Sequence, residues 1–326
     1  MSASRRPTLR EHLEYRGLLI IGAGVRLLPF PALKHLARFV GAIAFLLDRR
    51  GRQVAEANLE AAFGTMDRAK RRRIARQSYQ SFARTVLELF WAPNFTPEIL
   101  QKYVRTEGVE HYEAGEPTIY VCLHASNFEL LSLAQAPVIG SGIVVTQNFR
   151  NPLLGRIFDR LRASTGHTII PQERAMMRML RHLKAGGYFN AVVDFNLDPR
   201  EASVIIDQFE GLKACVTQIH AALALHTKAR IVPAECHAEP DGTYRLVHHT
   251  PIFVGPNDTP AQIAQRCWDV LEPYVRENPQ YWLWSYKHWR YRANDETGSR
   301  YPFYANSAKR FDKKLQEYRE ASRLTA

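Results

Sequence analysis

The chain is poor in the residues that staple or punctuate a small secreted domain. Its four cysteines, Cys122, Cys215, Cys236 and Cys267, stand far apart, with no C-x-x-C pair and no histidine at zinc-ligand spacing. Neither a disulfide framework nor a structural metal site is encoded in any usual form, and a reducing compartment is expected. There is no internal repeat and no Gly/Ser-rich linker, so the 326 residues are not visibly divided into modules. The lipophilic stretch "GLLIIGAGVRLLPFPALKHLARFVGAIAFLLDRR" (17–50) lacks an unbroken run of about 20 apolar residues, the length a spanning helix needs. Arg26, Lys34, His35 and Arg38 interrupt it, and Pro29 and Pro31 break it. No small-residue cleavage site follows its first half in the manner of a secretory signal. It is expected to form two short helices lying in a membrane interface, Leu, Ile and Phe among acyl chains and basic side chains at the headgroups. Two buried helices of a soluble domain are the alternative.

Acidic residues are also short: 32 Asp+Glu against 44 Lys+Arg, a net charge of +12. Residues 1–110 hold 19 Lys+Arg against 10 Asp+Glu, so the surplus lies where the apolar stretch lies. That coincidence favours an anionic membrane surface as partner. No reader motif for nucleic acid accompanies the charge, and nucleic acid is not expected as a partner. Residues 66–91 have the spacing of a long helix with Phe82, Val86 and Phe90 on one face, near Ile74 and Leu89. Its first turns, "RAKRRRIAR", read either as a solvated face or as headgroup contacts.

From about residue 117 the texture changes. "TIYVCL", "GIVVTQ", "FNAVVD", "SVIID" and "RIVPAE" have strand character, and 152–165, 174–185 and 216–227 have helical spacing. This alternation predicts an α/β fold, a mostly parallel sheet flanked by helices. The expected organisation is a helical membrane-associating region over 1–110, an α/β core over 111–292, and a C-terminal loop with a polar helix over 293–326.

In such folds ligands gather at the carboxyl ends of strands. "TIYVCL" ends at His124, and Glu129 follows five residues later, inside the next helix. Across a strand-to-helix corner the carboxylate can accept one imidazole N–H and leave the other nitrogen as a base. Ser126-x-x-Glu129 is equally the pattern of a capping box, which competes for the same carboxylate. Asp194 ends another strand at the same edge, as part of the site or as an Asx turn into "NLDP". Arg150 reads as a phosphate or carboxylate contact, or as a surface arginine. Trp282, Trp284 and Trp289, with Arg290 and Arg292, read as an interfacial belt or as core. His220, His226, His248 and His249 have no acidic or thiol partner at ligand spacing, so no metal is expected.

"HASNFELL" (124–131) resembles the H-x-G-N-W-E-L block of the bacterial lipid A late acyltransferases, the lauroyl/myristoyl branch of the lysophospholipid acyltransferase superfamily. "EANLEAAFG" (56–64) with "VLELFW" (86–91), "NPLLGRIFDRLRASTGHTII" (151–170), "AVVDFNLDP" (191–199) with 207–233, and "NPQYWLWSYKHWRYR" (278–292) resemble the family's other blocks in order and spacing. The resemblance covers roughly residues 15–292. It implies a lysophospholipid acyltransferase-like fold and transfer of a fatty acyl group from an acyl carrier protein or acyl-CoA thioester to a hydroxyl of a lipid acceptor. The place implied is the cytoplasmic face of the inner membrane, and no cofactor is implied. It makes His124 the general base and Glu129 the residue that orients it. Asn127, Arg150 and Asp194 are candidate substrate contacts, the oxyanion being held by backbone N–H groups near Asn127 or by Arg150. The chain departs from the family with Ser126 for Gly, Phe128 for Trp, Gln147 for Arg and Phe195 for Gln. Acyl transfer to an aminolipid, a lysophospholipid or a glycosylated phosphatidylinositol, and a catalytically silent membrane-binding protein, are the competing readings.

Overall fold

The computed structural model describes residues 7–111, 115–146, 149–173, 175–294 and 300–323. Four helices come first: α1 (Leu9–Arg26), α2 (Phe30–Leu47), α3 (Arg49–Phe63) and α4 (Arg68–Trp91). Each start has a local cause. Thr8 and Glu11 form a capping box at α1, Pro29 and Pro31 set the entry into α2, and Asp48 and Asp67 accept N–H bonds at α3 and α4. Helix α2 lies tightly on α4, because Gly41 has no Cβ to strike the Gln80 backbone.

The α/β part follows with α5 (Pro97–Tyr103), β1 (Val104–Glu107), β2 (Thr118–Cys122), α6 (Phe128–Ile139), β3 (Ile143–Thr146), α7 (Pro152–Arg162) and β4 (Thr168–Pro171). It continues through α8 (Ala175–Lys184), β5 (Tyr188–Val192), β6 (Ser203–Gln208), β7 (Leu212–Thr217), α9 (Ile219–Thr227), β8 (Arg230–Ala238) and β9 (Tyr244–His248). The chain closes with α10 (Pro260–Glu277), β10 (Tyr291–Arg292), β11 (Asn306–Ser307) and α11 (Lys309–Arg323). Among the described residues seven strands form the central sheet in the order β1-β9-β8-β2-β5-β3-β4, parallel except where β9 meets β8. The α/β architecture with a mostly parallel sheet flanked by helices is therefore as expected. Central strand β2 is buried at every position, as a parallel strand covered on both faces must be.

Two expectations change and one open alternative is decided. "SVIID" is a strand but not of the main sheet: β6 pairs antiparallel with β7 as a separate hairpin. The tip of that hairpin, Phe209 and Glu210, takes left-handed backbone angles and drives Phe209 among Trp268, Trp282, Trp284 and Trp289. Trp282, Trp284 and Trp289 are fully buried, so they are core and not an interfacial belt. On α4 Ile74, Leu89 and Phe90 are buried as expected and Val86 is half-buried, but Phe82 is exposed and Ser78, Thr85 and Glu88 share the buried side. The face is only partly the expected one because α4 also buries polar groups, described below, that an apolar periodicity cannot register.

Helix α2 is long and apolar enough to cross a membrane by length and composition, with only 28% of its residues buried. Of the exposed large apolar side chains, those of Leu9, Leu13, Leu19, Ile20, Ile21, Leu27, Phe39, Val40, Ile43, Leu46 and Leu47 all lie on or between α1 and α2. Exposed Arg16, Arg26, Arg38, Arg49 and Arg50 stand beside them.

Candidate active site

Strands β2 and β5 are neighbours in parallel register, Cys122 opposite Val192. Two residues beyond that pair, at the carboxyl edge, stand His124 and Asp194. The imidazole Nδ1 lies 2.7 Å from Asp194 Oδ1, and the His124 backbone N–H donates to Oδ2 at 3.0 Å. Trp282 Nε1 donates to the same Oδ2 at 2.7 Å. Asp194 is wholly buried, and the His124 side chain keeps 14% of its surface exposed. Burial alone would push the Asp194 carboxyl up. The facing His124, then His288 and the Trp282 hydrogen bond, overcome it and hold the carboxyl below its ordinary range.

The loop carrying His124 is held as if it were a short strand. Leu283 N–H donates to His124 O, Ser126 N–H donates to Tyr281 O, and Ala125 bridges Trp282. Helix α4 supports both partners: Thr85 Oγ1 donates to Ser126 O, and Ser78 Oγ donates to Trp282 O. Asn58 Nδ2 donates to the carbonyls of Trp284 and Tyr286. Ser126 itself sits at φ 51°, a left-handed angle that costs a non-glycine residue and persists only where its surroundings impose it.

This geometry revises the reading of Ser126-x-x-Glu129. Helix α6 is capped by Asn127, whose Oδ1 accepts from Leu130 N–H at 3.1 Å, so Ser126 and Glu129 form no capping box. Nor is Glu129 the hydrogen-bond partner of His124. Its two oxygens accept from Arg162 on α7 in a forked pair, Nε to Oε2 at 2.9 Å and Nη2 to Oε1 at 2.5 Å. Burial would lower the Arg162 pKa, but Glu129 outweighs it and the guanidinium is held charged above its usual value.

His124, Glu129 and Arg162 share one cavity of about 420 Å³. Leu131, Val144, Val145, Met179 and Phe189 give it an apolar wall. Phe195 lies flat on the His124 ring, centroids 3.7 Å apart, and Phe128 meets that ring edge-on at 4.8 Å. Asn127 is buried behind the cavity, donating to Glu88 Oε2 at 2.6 Å. Glu88 also accepts from Arg84 at 2.6 Å and Tyr244 at 2.7 Å. Complete burial still pushes its carboxyl up. Arg150 is exposed and does not line the cavity, and Gln147 lies outside the described residues. Among the described residues no group of three or more His, Cys, Asp or Glu is placed to hold a metal ion.

Of the five residues singled out from the sequence, the structure thus brings His124 and Asp194 into contact and Glu129 to the same cavity. Asn127 is a helix cap, and Arg150 stands apart. Three residues with clear places in the site were not singled out: Arg162, Phe195 as a ring on His124, and Trp282 as a donor to Asp194. Arg162 stands in the 151–170 block and Trp282 in the tryptophan-rich one, so the blocks held them without their pairings.

A histidine backed by a buried carboxylate, at a cavity with an apolar wall on the carboxyl edge of a mostly parallel sheet, is an arrangement suited to a substrate with a hydrocarbon tail. The family model for bacterial lipid A biosynthesis acyltransferases matches residues 5–291, and the chain belongs to that family. Relatives include the lipid A biosynthesis lauroyltransferase of Escherichia coli K12, 24% identical over 87% of this chain and 93% of its own length. A lipid A biosynthesis acyltransferase of Haemophilus influenzae is 23% identical over 76% of this chain and 78% of its own. Among solved structures, the 1-acyl-sn-glycerophosphate acyltransferase PlsC of Thermotoga maritima aligns with a TM-score of 0.35 at 16% identity, covering 76% of this chain and 99% of that one. The protein is an acyltransferase, and it transfers an acyl group to a lipid acceptor.

Proposed function

We propose that the enzyme moves a fatty acyl group from a thioester, of acyl carrier protein or coenzyme A, to a hydroxyl of a lipid A precursor or related glycolipid. The observation that carries this reading is the His124–Asp194 contact at the polar end of an apolar cavity. Asp194 accepts the Nδ1 proton, so Nε2 carries the lone pair. Nε2 takes the proton of the acceptor hydroxyl as its oxygen attacks the thioester carbonyl. Asp194 stabilises the imidazolium that results. The C–O bond forms, the C–S bond breaks, and the departing thiolate recovers the proton from Nε2. The carbonyl oxygen, negative in the transition state, is met by the backbone N–H groups of the first turn of α6, whose Phe128 and Glu129 line the cavity. Glu129 and Arg162 brace each other across the cavity wall in place of the orientation first expected of Glu129.

The apolar wall suits the acyl chain. The exposed leucines, isoleucines and Phe39 of α1 and α2, with the arginines among them, suit the cytoplasmic face of an anionic inner membrane, where the acceptor lies. The test is acyl transfer from both thioesters to a panel of lipid acceptors, comparing the unaltered protein with folded His124→Ala and Asp194→Asn. Transfer abolished in both supports the reading and names the acceptor. Transfer that survives in His124→Ala ends it.

A further inference from the structure

His124 is not only tethered at its edge; it is covered on its face. The Phe195 ring lies nearly parallel to it, 6° between planes at 3.7 Å. Behind Phe195, Tyr286 stacks at 4.0 Å and 15°, and behind Tyr286 stands the Arg290 guanidinium, 5.1 Å from its ring. The column is anchored away from His124, because Tyr286 OH donates to Asn196 O at 2.9 Å and Asn58 holds the Tyr286 carbonyl. Phe195 follows Asp194 directly, so one short segment presents the carboxylate to the imidazole edge and an aromatic face to its plane.

We infer that Phe195 is a positioning residue for the transfer reaction: its ring fixes the plane of the His124 imidazole so that Nε2 points into the cavity, and its π face favours the imidazolium formed in the transition state. The inference rests on His124 acting as the base. An aromatic face attracts a cation centred over it through the ring quadrupole, and the attraction grows when water is excluded. The face offered here is preformed, held from behind by Tyr286, and needs no rearrangement when the proton arrives. The charged and titratable groups around the imidazole are Asp194 at its edge, His288 from the 281–289 segment, Glu129 of α6 and Arg162 of α7 across the cavity, Glu201 on its wall, Cys122 of β2 and, beyond Phe195 in the same column, the Tyr286 hydroxyl and the Arg290 guanidinium. None of their hydrogen bonds described above is made to the Phe195 ring, so replacing that ring leaves them in place.

The test is the titration of His124 followed by NMR in the full-length protein, its resonance assigned by its loss in His124→Ala. Phe195→Leu removes the π face and Phe195→Tyr keeps it. In Phe195→Leu the midpoint is expected to fall by about 0.4 to 1.5 units. The kcat for acyl transfer is expected to fall about ten- to a hundredfold, with KM for the thioester within about twofold. Phe195→Tyr should restore both. A midpoint in Phe195→Leu that is unchanged or raised overturns the inference, as does a rise in KM with kcat unaltered. Phe195→Met is read in the same way if the leucine variant does not fold. The titration needs no substrate, so a failure to find acyl transfer with any acceptor would refute the proposed function and leave the stack to be judged on the midpoint alone.

Discussion

Replacing Asp194 by Asn changes one atom, and the surrounding donors dictate what that atom does. Asp194 Oδ2 receives two N–H groups that cannot turn away, from the His124 backbone at 3.0 Å and from Trp282 at 2.7 Å. In Asp194→Asn the amide oxygen must occupy that place, since an NH2 there would face both donors and leave each of them unpaired, at about 1–3 kcal/mol apiece. The NH2 is then directed at His124 Nδ1, where Oδ1 stood at 2.7 Å. A donor at that distance obliges Nδ1 to accept, and the imidazole proton moves to Nε2. The base is present, in position and of the wrong tautomer. By comparison with hydrolytic triads carrying the same change, kcat should fall roughly 10⁴-fold. The melting temperature should fall only slightly, because the variant keeps three hydrogen bonds. Steady-state acyl transfer measures the first, thermal unfolding the second, and nitrogen chemical shifts of the imidazole report the tautomer directly. An Asp194→Asn enzyme within tenfold of the unaltered one, together with an inactive Glu129→Gln enzyme, would refute the reasoning and return the orienting role to Glu129.

Other outcomes follow from contacts farther from the base. Glu129→Gln breaks the fork to Arg162 and should cost about 1–3 kcal/mol in urea unfolding, with a loss of kcat much smaller than that of Asp194→Asn; an equal loss would contradict the pairing. Glu88→Ala takes the carboxylate from the largely buried Arg84 guanidinium, which keeps its bond to Gly242 O, and should cost about 3–5 kcal/mol, whereas a loss below about 1 kcal/mol would show that the Glu88, Tyr244 and Asn127 network is not cooperative. Burial lowers His220, His248 and His288 to about 4 each. Their ordinary value is about 6.5, so between those limits the unfolded chain binds more protons and stability falls as pH falls, by about 2 kcal/mol per histidine at pH 5. Melting temperature against pH should therefore drop below about pH 6.5, with carboxyls held low, Asp194 among them, continuing the fall below about 4, and His220→Phe should reduce the drop between those limits by about a third; a flat profile would mean that these rings are not buried neutral.

The strands and helices were legible where a segment has to satisfy one simple demand. β2 and β8 are buried along nearly their whole length and β3 and β5 are buried or half-buried, so all four show as apolar runs, and α7, α8 and α9 have helical spacing. Strands β1, β4, β7 and β9, whose sequences are VRTE, TIIP, LKACVT and YRLVH, break their apolar residues with charged or polar side chains or a proline, so no apolar run marks them. The site was legible as a set of blocks and not as a set of contacts. His124 and Asp194 meet because β2 lies beside β5 and not beside β3, the next strand in the chain. Strand order is decided by how the helices cover the sheet, over 70 residues of intervening chain, and no local pattern carries it. Five residues of separation made Glu129 the nearer partner on paper. Yet Glu129 begins a helix that points it toward α7, where Arg162 supplies a forked donor that a single imidazole N–H cannot match. The α4 face was legible only in part, with Phe82 misplaced, for a related reason. Ser78, Thr85 and Glu88 are inward because each satisfies a buried polar group, and hydropathy counts such residues as outward.

The same packing bears on how the protein meets a bilayer. Helix α2 has 18 residues, about 27 Å of rise at 1.5 Å each, against a hydrocarbon core of about 30 Å. Length alone therefore leaves spanning open. Its contacts do not favour it: Leu33, Ala37, Gly41 and Phe45 are buried, and the Gly41 backbone lies against that of Gln80 on α4, a helix that carries Thr85 and Ser78 under the site. To span apart from α4, α2 would have to expose those four residues. Lying in the interface costs none of these contacts and still buries Phe39, Val40, Ile43, Leu46 and Leu47 among lipid chains. Phe39→Glu with Leu46→Glu should therefore weaken partition into vesicles of anionic lipid while leaving the His124 titration unchanged. Gly41→Leu should do the reverse, unseating α2 and perturbing the site while the apolar surface remains. If a cysteine placed at residue 29 and one placed at residue 49, on the two flanks of α2, are labelled by membrane-impermeant reagents from opposite sides of an intact bilayer, α2 spans, and the interfacial arrangement is wrong.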